Sequence, residues 1–469
     1  MKTVVRPVAD RSFQGTPTRN NNANAPRKSI RIAVLMLMCA VMGSLVIGTS
    51  VEAKAQITIA QLNGPWRIAL VGNTCGATSM LFTGSLTNGT ANGWLTGNGG
   101  CGPGQSSETF TITSLDAHGL GKANLTCTTC GLDSSFNFNI QVAPNAQTFS
   151  LVDVADVHVN VLAGTAVAQQ PLGITMEQLA GTWQIALVGN TGCGASSLQF
   201  TGTLNTSGTG TGLLTGSSTG CPSGSSFQTF TITSLSSSGN GSGTANLSCG
   251  SGCGWDFDIQ VSPDKQTFNL VDVVNGGNGL AGTAVARPTS TFTVDQLAGP
   301  WQIALVGNSG CGQTSMQFTG TLNTSGTVAG TLTSSSTGCP SSSSTQTFTI
   351  NPLGPDGTGT ASLTCGSGCA WNFAIQVAPN LKIFNLVDTG SGDPNFNELA
   401  GTAVAKPGFV AVPDVAGFRL SSAEQDIQAA GLHWRLAGSG PWALTTRPTG
   451  GTFVPVGSTV TIIRTTQQN

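Results

Sequence analysis

The residues with the most evident chemical potential are sulfur. Of 13 cysteines, twelve form three groups of four: Cys75, Cys101, Cys127 and Cys130; Cys193, Cys221, Cys249 and Cys253; Cys311, Cys339, Cys365 and Cys369. Cysteines grouped and evenly repeated in an exported chain are normally disulfides. Four thiolates could instead hold zinc, but a structural zinc site usually draws on two closely spaced pairs. Each group has one such pair, Cys127-x-x-Cys130 in the first and three intervening residues in the other two. The expectation is two bridges per group and no metal. Four cysteines allow three pairings; we expect the close pair to bridge its own hairpin and the first two to join each other. Each bridge would add about 2–4 kcal/mol.

Little else in the chain suggests catalysis. The three histidines, His118, His158 and His433, do not recur between repeats and have no nucleophile motif nearby, so they read as loop or surface residues. Asp153, Asp272 and Asp388 recur in the triplet Leu-Val-Asp, which reads as a carboxylate capping a turn. No carboxylate pair recurs in the manner of a glycosidase. The Gly-rich stretch from Gly239 to Gly243 lacks the lysine and helix start of a phosphate loop. No catalytic, cofactor-binding or metal-ligating residue is assigned, and the chain is expected not to be an enzyme. Charged residues are only 8% and the net charge is −2, so there is no basic face for nucleic acid.

The N-terminal residues point outside the cell. Arg27, Lys28 and Arg31 precede an apolar run from Ile32 to about Gly48 that contains Cys39, and Ala53-Lys54-Ala55 then supplies a small-residue cleavage site before Gln56. This reads as a signal peptide. Left uncleaved, the same run is at the short limit for a membrane span and would be an anchor, the only membrane contact expected.

The elements that must position the cysteines are repeated three times. Gly-Pro-Trp66, Gly-Thr-Trp183 and Gly-Pro-Trp301 open segments that continue, after one Arg or Gln, Ile-Ala-Leu-Val-Gly-Asn, with the tryptophans 117 and 118 residues apart. Such a period is too long for a solenoid unit and long enough for a self-contained core, so the copies are expected to be independent beads. The second copy contains eight strand-like runs, starting near Trp183, Leu198, Gly212, Phe227, Ala245, Trp255, Thr267 and Leu280. In Trp255-Asp256-Phe257-Asp258-Ile259-Gln260-Val261, apolar and polar residues alternate, so one face is buried. Sequential hairpins favour up-and-down antiparallel β-barrels, with β-sandwiches as the alternative. All four cysteines of a copy then gather at one barrel end, opposite the termini. The fold class is mainly all-β with a small α+β module. The organisation is an export segment (1–55), β repeats (56–169, 170–287, 288–406) and a C-terminal module (407–469).

Gly-x-Trp at the start of an eight-stranded unit resembles the opening of the calycin barrels, lipocalins and avidins. The resemblance spans about residues 57–406 and implies that Trp66, Trp183 and Trp301 plug the barrel base. It also implies a basic residue after the last strand, packed over that tryptophan: Arg287 and Lys406 match, Gln169 departs, and the lipocalin Thr-Asp-Tyr motif is absent. In the last module, Val412-Pro-Asp-Val415-Ala-Gly417 is followed by a Ser421-x-x-Glu424 capping box. A helical face of Ala423, Ile427 and Ala430 then stops at Gly431, and Gly451-Thr-Phe-Val-Pro-Val-Gly457-Ser-Thr-Val460 leads into a final strand. Residues 410–465 thereby resemble a PASTA domain, which implies contact with peptidoglycan or muropeptides. Arg447 stands where the family usually has glutamine, and a single copy occurs without kinase or transpeptidase. Trp442 and Arg447 are the candidate wall-binding residues.

These readings converge on a protein of the cell envelope. The PASTA-like module would contact peptidoglycan, and the three disulfide-stapled β domains would present surfaces to a protein partner. The alternative is a carrier of small apolar ligands within the barrels. An enzyme of wall metabolism has no visible catalytic set.

Overall fold

The computed structural model describes residues 57–467, apart from 75, 100–103, 129–134, 154–160, 170–172, 221–222, 249–253, 274–278, 290, 365–369, 389–397 and 451. The export segment with Cys39, together with Cys75, Cys101, Cys130, Cys221, Cys249, Cys253, Cys365, Cys369 and His158, lies outside the described residues.

Each repeat is a closed barrel of eight sequentially paired antiparallel strands, as the alternation predicts. In barrel 2 the strands are Gly181–Asn190, Ala195–Leu204, Thr209–Ser218, Gly224–Leu235, Ser242–Ser248, Gly254–Val261, Thr267–Val271 and Gly279–Ala286. Turn chemistry fixes their register: Asn205 Oδ1 accepts the backbone N–H groups of Ser207 and Thr209. Trp183, Ile185 and Leu187 point inward against Phe200, Phe230, Phe257 and Phe268. Ring centroids lie 4.8 Å apart for Trp183–Phe268, 6.1 Å for Phe268–Phe230 and 6.0 Å for Phe230–Phe200, within the favourable range. The barrel interior is filled by its own side chains. Gly189, at φ +144°, lets strand eight close on strand one, because a Cβ there would sit 1.8 Å from the Gly279 carbonyl oxygen.

The base of each barrel is sealed alike. Short 3-10 helices, Ile59–Leu62, Met176–Leu179 and Val294–Leu297, precede the first strands. Trp66, Trp183 and Trp301 are buried against them, each indole N–H donating to a carbonyl, of Leu62, Leu179 and Leu297 respectively, at 2.8 Å. Of the basic residues expected over these rings, Arg287 instead pairs with Asp356 of barrel 3 at 3.2 Å. Burial lowers the pKa of Lys406, opposed by the charge of Asp116 of barrel 1. Among the described residues the one cation–π contact is Arg419 over Trp442.

Those cross-barrel contacts belong to a larger departure from expectation: the repeats are not beads. Outward-pointing Ala69, Val71, Ala186, Val188, Ala304 and Val306 are as buried as the barrel cores. With Ala163, Ala281 and Ala400 of the eighth strands they form a second apolar core between the barrels. Thr165, Thr283 and Thr402 meet as a triangle of hydroxyls at 3.0, 3.1 and 3.4 Å. Ser79 donates to the Asp272 carbonyl, Ser197 to that of Asp388, and Ser315 to that of Asp153. Equivalent residues therefore meet in the order 1 to 2, 2 to 3 and 3 to 1, which is closed threefold pseudo-symmetry within one chain. At the base end Asn145 and Asn380 both donate to Asp264, at 3.1 and 3.0 Å. Base turns thus meet base turns, and the serine contacts lie towards the cysteine-bearing ends, so those three ends share one side of the ring.

The recurrent Leu-Val-Asp triplet is explained by this packing, since its backbone carbonyl is the acceptor at each seam. The three seams are not equal. Asn269 Nδ2 donates to the carbonyls of Arg67 and Thr165, and Asn385 Nδ2 to those of Gln184 and Thr283. At the third seam Ser150 occupies the equivalent place, leaving its own hydroxyl and both amide atoms of Gln302 buried without a partner. Replacing Ser150 by Asn restores these bonds, so Ser150→Asn raises the midpoint of urea unfolding by a gain of about 1–2 kcal/mol. An unchanged or lower midpoint would show that Gln302 needs no such partner. Val188→Asp places a charge in the axial core and costs at least about 3 kcal/mol in calorimetry. The wild type gives one cooperative transition for its barrels; three separate ones would mean that they do not support one another.

Candidate functional site

Two surfaces collect the chemistry: the C-terminal module and the cysteine-bearing side of the ring. In the module, helix Leu420–Ala429 lies on a three-stranded sheet of His433–Gly438, Thr459–Thr465 and Trp442–Arg447, in that order. Phe409–Ala411 and Phe453–Pro455 pair beside it. Ala423 and Ile427 are fully buried against Val415, Leu432, Ala443, Val460 and Ile462. The helix ends as expected: Gly431 has φ +75°, its N–H donates to Gln428, and that of Leu432 donates to Ile427. Its start differs from expectation. Arg419 is the N-cap and Ser421 makes no cap bond, because the Leu420 N–H is taken by the Pro441 carbonyl and the first turn closes on the Arg419 carbonyl. The reciprocal pattern occurs instead at the base helices, where Thr58, Thr175 and Thr293 N–H groups donate to Gln61, Gln178 and Gln296.

The sheet face away from the helix is where the candidate residues fall. Arg435 and Arg447 lie on either side of Thr461 in register, both exposed, and Arg435 Nε donates to the Thr461 hydroxyl at 2.7 Å. Trp442 is opposite Thr465 on the same face, with the Arg419 guanidinium 5.4 Å over its ring. A bulge between Ala443 and Thr445 turns Leu444 outward. Trp442 and Arg447 are thus brought onto one face, some four residues or about 13 Å apart along the strand. Arg435 and Arg419 join them, and sequence reasoning missed both. The period-2 alternation of His433–Gly438 and Thr459–Thr465 was the signal for Arg435; Arg419 had none. Guanidinium groups in this spacing suit carboxylates, and a partly exposed indole suits the face of a sugar ring.

The cysteines occupy the opposite side. Cys311 and Cys339 form a disulfide joining the turn after strand one of barrel 3 to the loop after strand three. This is the pairing expected of the first two cysteines in each group. Cys127 and Cys193 are disulfide-bonded as well. On the outer walls, Phe227 is 83% exposed opposite Leu213 in barrel 2, and Trp94 is 56% exposed at the Leu213-equivalent place in barrel 1. Among the described residues no group of His, Cys, Asp and Glu could hold a metal. A cavity of about 30 Å³ at the axis, walled by Ala and Val with the Thr triangle, is too small for an organic ligand.

One buried carboxylate sits near the cysteine end of the seam between barrels 2 and 3. Glu398 is 1% exposed, with Ser197 and Ser217 hydroxyls each at 2.7 Å. Burial raises its pKa, partly offset by those hydroxyls. Ser197 is also 2.6 Å from the Asp388 carbonyl, and its single proton can serve only one acceptor. A protonated Glu398 completes the chain by donating to Ser197. A carboxyl whose pKa is raised on folding favours the folded state at low pH, and that contribution is lost as pH rises through the raised value. Measured against Glu398→Gln, the wild-type melting temperature should therefore fall as pH is taken from 4 to 8. A difference that stays constant across this range would contradict the assignment.

The chain matches no family model. It also matches no curated protein. Among solved structures it is similar to the crystal structure of CghA with Sch210972, at 8% identity over 74% of this chain and 89% of that one, with a TM-score of 0.18. The crystal structure of CghA itself is similar at 7% identity, with the same coverage and TM-score. Likeness of that size carries no argument about fold or function.

Proposed function

We propose that this is an exported, non-catalytic protein of the cell envelope, in which the PASTA-like module contacts peptidoglycan and the ring of barrels presents its cysteine-bearing side to another partner. The observation that carries the reading is the open sheet face of the module, where Arg435, Arg447 and the Arg419-covered Trp442 line up beside Thr461. Peptidoglycan offers what that face suits, carboxylates on short peptides and sugar rings between them. The module follows the last strand of barrel 3 at the base end, and so lies opposite the disulfide-laced loops. Exposed Phe227, Leu213 and Trp94 give the ring apolar anchors for a protein partner. The filled barrel interiors weigh against the carrier alternative, because a small apolar ligand would have to displace the stacked Phe and Trp rings.

The test is co-sedimentation of the mature chain with purified peptidoglycan. The wild type should pellet, less so at high salt. Arg447→Ala and Trp442→Ala should each reduce the bound fraction about three- to tenfold while leaving the melting temperature of the barrels unchanged. If both variants pellet like the wild type, the sheet face is not the wall contact.

A further inference from the structure

At the base of the ring the three seams share one construction. In each barrel a glutamine of strand six donates to a carbonyl of the turn between strands four and five: Gln141 to His118, Gln260 to Asn240 and Gln376 to Asp356, at 2.9, 2.8 and 2.9 Å. These three turn residues are therefore equivalent. Gln169, Arg287 and Lys406 are equivalent too, each following an eighth strand with its N–H bonded near the start of the first, at Pro65, Thr182 and Pro300. Between barrels 2 and 3 the two places meet, Arg287 with Asp356 at 3.2 Å. The chain then runs on into barrel 3, where the Phe292 N–H donates to Pro355. Between barrels 1 and 2 it runs on likewise, and the Ile174 N–H donates to Gly239.

Between barrels 3 and 1 no chain runs on. Ile57 makes the equivalent bond, to Ala117, but comes from the start of barrel 1, and it lines a crevice together with Phe409 of the departing segment. That segment still reaches barrel 1. Pro407 is buried, and its carbonyl lies 3.4 Å from His118 Nδ1. The Phe409 and His118 rings are 4.7 Å apart. Gly408 between them has φ +79°, and a Cβ there would stand 3.3 Å from His118 Nδ1. The turn that presents His118 is well braced, since Asp116 Oδ1 accepts the N–H groups of His118 and Leu120 at 2.9 and 2.8 Å. The other side of the segment belongs to the module. Phe409–Ala411 pairs with Phe453–Pro455, and the Val456 N–H donates to the Gly408 carbonyl at 2.7 Å.

We propose that residues 406–409 form a clasp that closes the ring in place of the missing linker, and that the module's short strand keeps it shut. Displacing the module's strand then loosens the seam between barrels 3 and 1 and leaves the other two closed. The state of the module is in this way communicated to the barrels, whatever the module binds.

The experiment uses the intact mature protein with Ser150→Cys, a site 0% exposed within this seam, and measures how fast a thiol reagent reaches the new side chain. Asn269→Cys, at the equivalent place between barrels 1 and 2, is the reference. Adding His118→Ala removes the ring that Phe409 and Pro407 meet, and should speed modification of Ser150→Cys about tenfold while leaving that of Asn269→Cys unchanged. Gly408→Val, which displaces the clasp from its own side, and Val456→Pro, which removes the N–H bonded to Gly408, should do the same. His118→Phe keeps a ring against Phe409 and should hold the rate near that of its parent. The proposal is overturned if His118→Ala and Gly408→Val both leave the rate for Ser150→Cys unchanged, or if they raise the rate for Asn269→Cys equally, as a general loosening would. No effect of Val456→Pro would overturn the module's part in keeping the clasp shut.

Discussion

Everything in this protein depends on how three barrels share one axis. The constraint is geometric: the first and eighth strands of each barrel must be buried on both faces, because one face fills the barrel and the other fills the space between barrels. Only small side chains allow three curved walls to approach so closely. That is why Ala and Val recur on the outward face of strand one, and why Ala, Gly and Thr dominate strand eight. The polar contacts of the axis, hydroxyl to hydroxyl and hydroxyl to backbone carbonyl, satisfy groups that such packing would otherwise bury unpaired. A chain with only 8% charged residues has few ion pairs to hold repeats together. It holds them by area and shape, with Arg67–Asp258 and Arg287–Asp356 as salt bridges between barrels.

This constraint also separates what could be read in the sequence from what could not. The eight strands of each copy followed from alternation, turn residues and the repeat itself; these favoured barrels over sandwiches without deciding between them, and the buried tryptophan was implied only by the calycin resemblance. In Trp255–Val261 the alternation is clean and Trp255, Phe257, Ile259 and Val261 do point inward, but the polar face is exposed only at Asp256, since Asp258 pairs with Arg67 of barrel 1 and Gln260 is buried. The ring was visible only as an exception to the same rule. Thr267–Val271 is buried at all five positions, and Trp183–Val188 at all six, the pattern of strands covered on both sides. Read one copy at a time, such runs look like good core strands and nothing more. Leu-Val-Asp drew attention to its carboxylate, whereas the seam uses its backbone carbonyl, which no side-chain pattern reveals.

The module shows the same division. Its helix face and its glycine stop were legible because they are local. The helix start was not, because Pro441 and Trp442, distant in sequence, fix the backbone at Arg419 and Leu420. Trp442 and Arg447 could be named from sequence, but that they share a sheet face with Arg435 depends on strand order, with the last strand placed between the other two. The crevice at the base of the ring, lined by Ile57 and Phe409, is less legible still, since it lies at the one of three equivalent seams that lacks a linker.

That missing linker has a mechanical meaning. Ile57, where the chain enters the ring, and Pro407, where it leaves, line the same crevice. Tension between the two ends therefore does not pass around the ring. It acts across the single seam between barrels 3 and 1, while barrel 2 and its two covalent junctions stay off the load path. This is also the seam where Ser150 replaces the bridging asparagine. Pulled from its ends, the body behaves as a split washer, opening first at its one unjoined edge, with the other two interfaces intact as hinges.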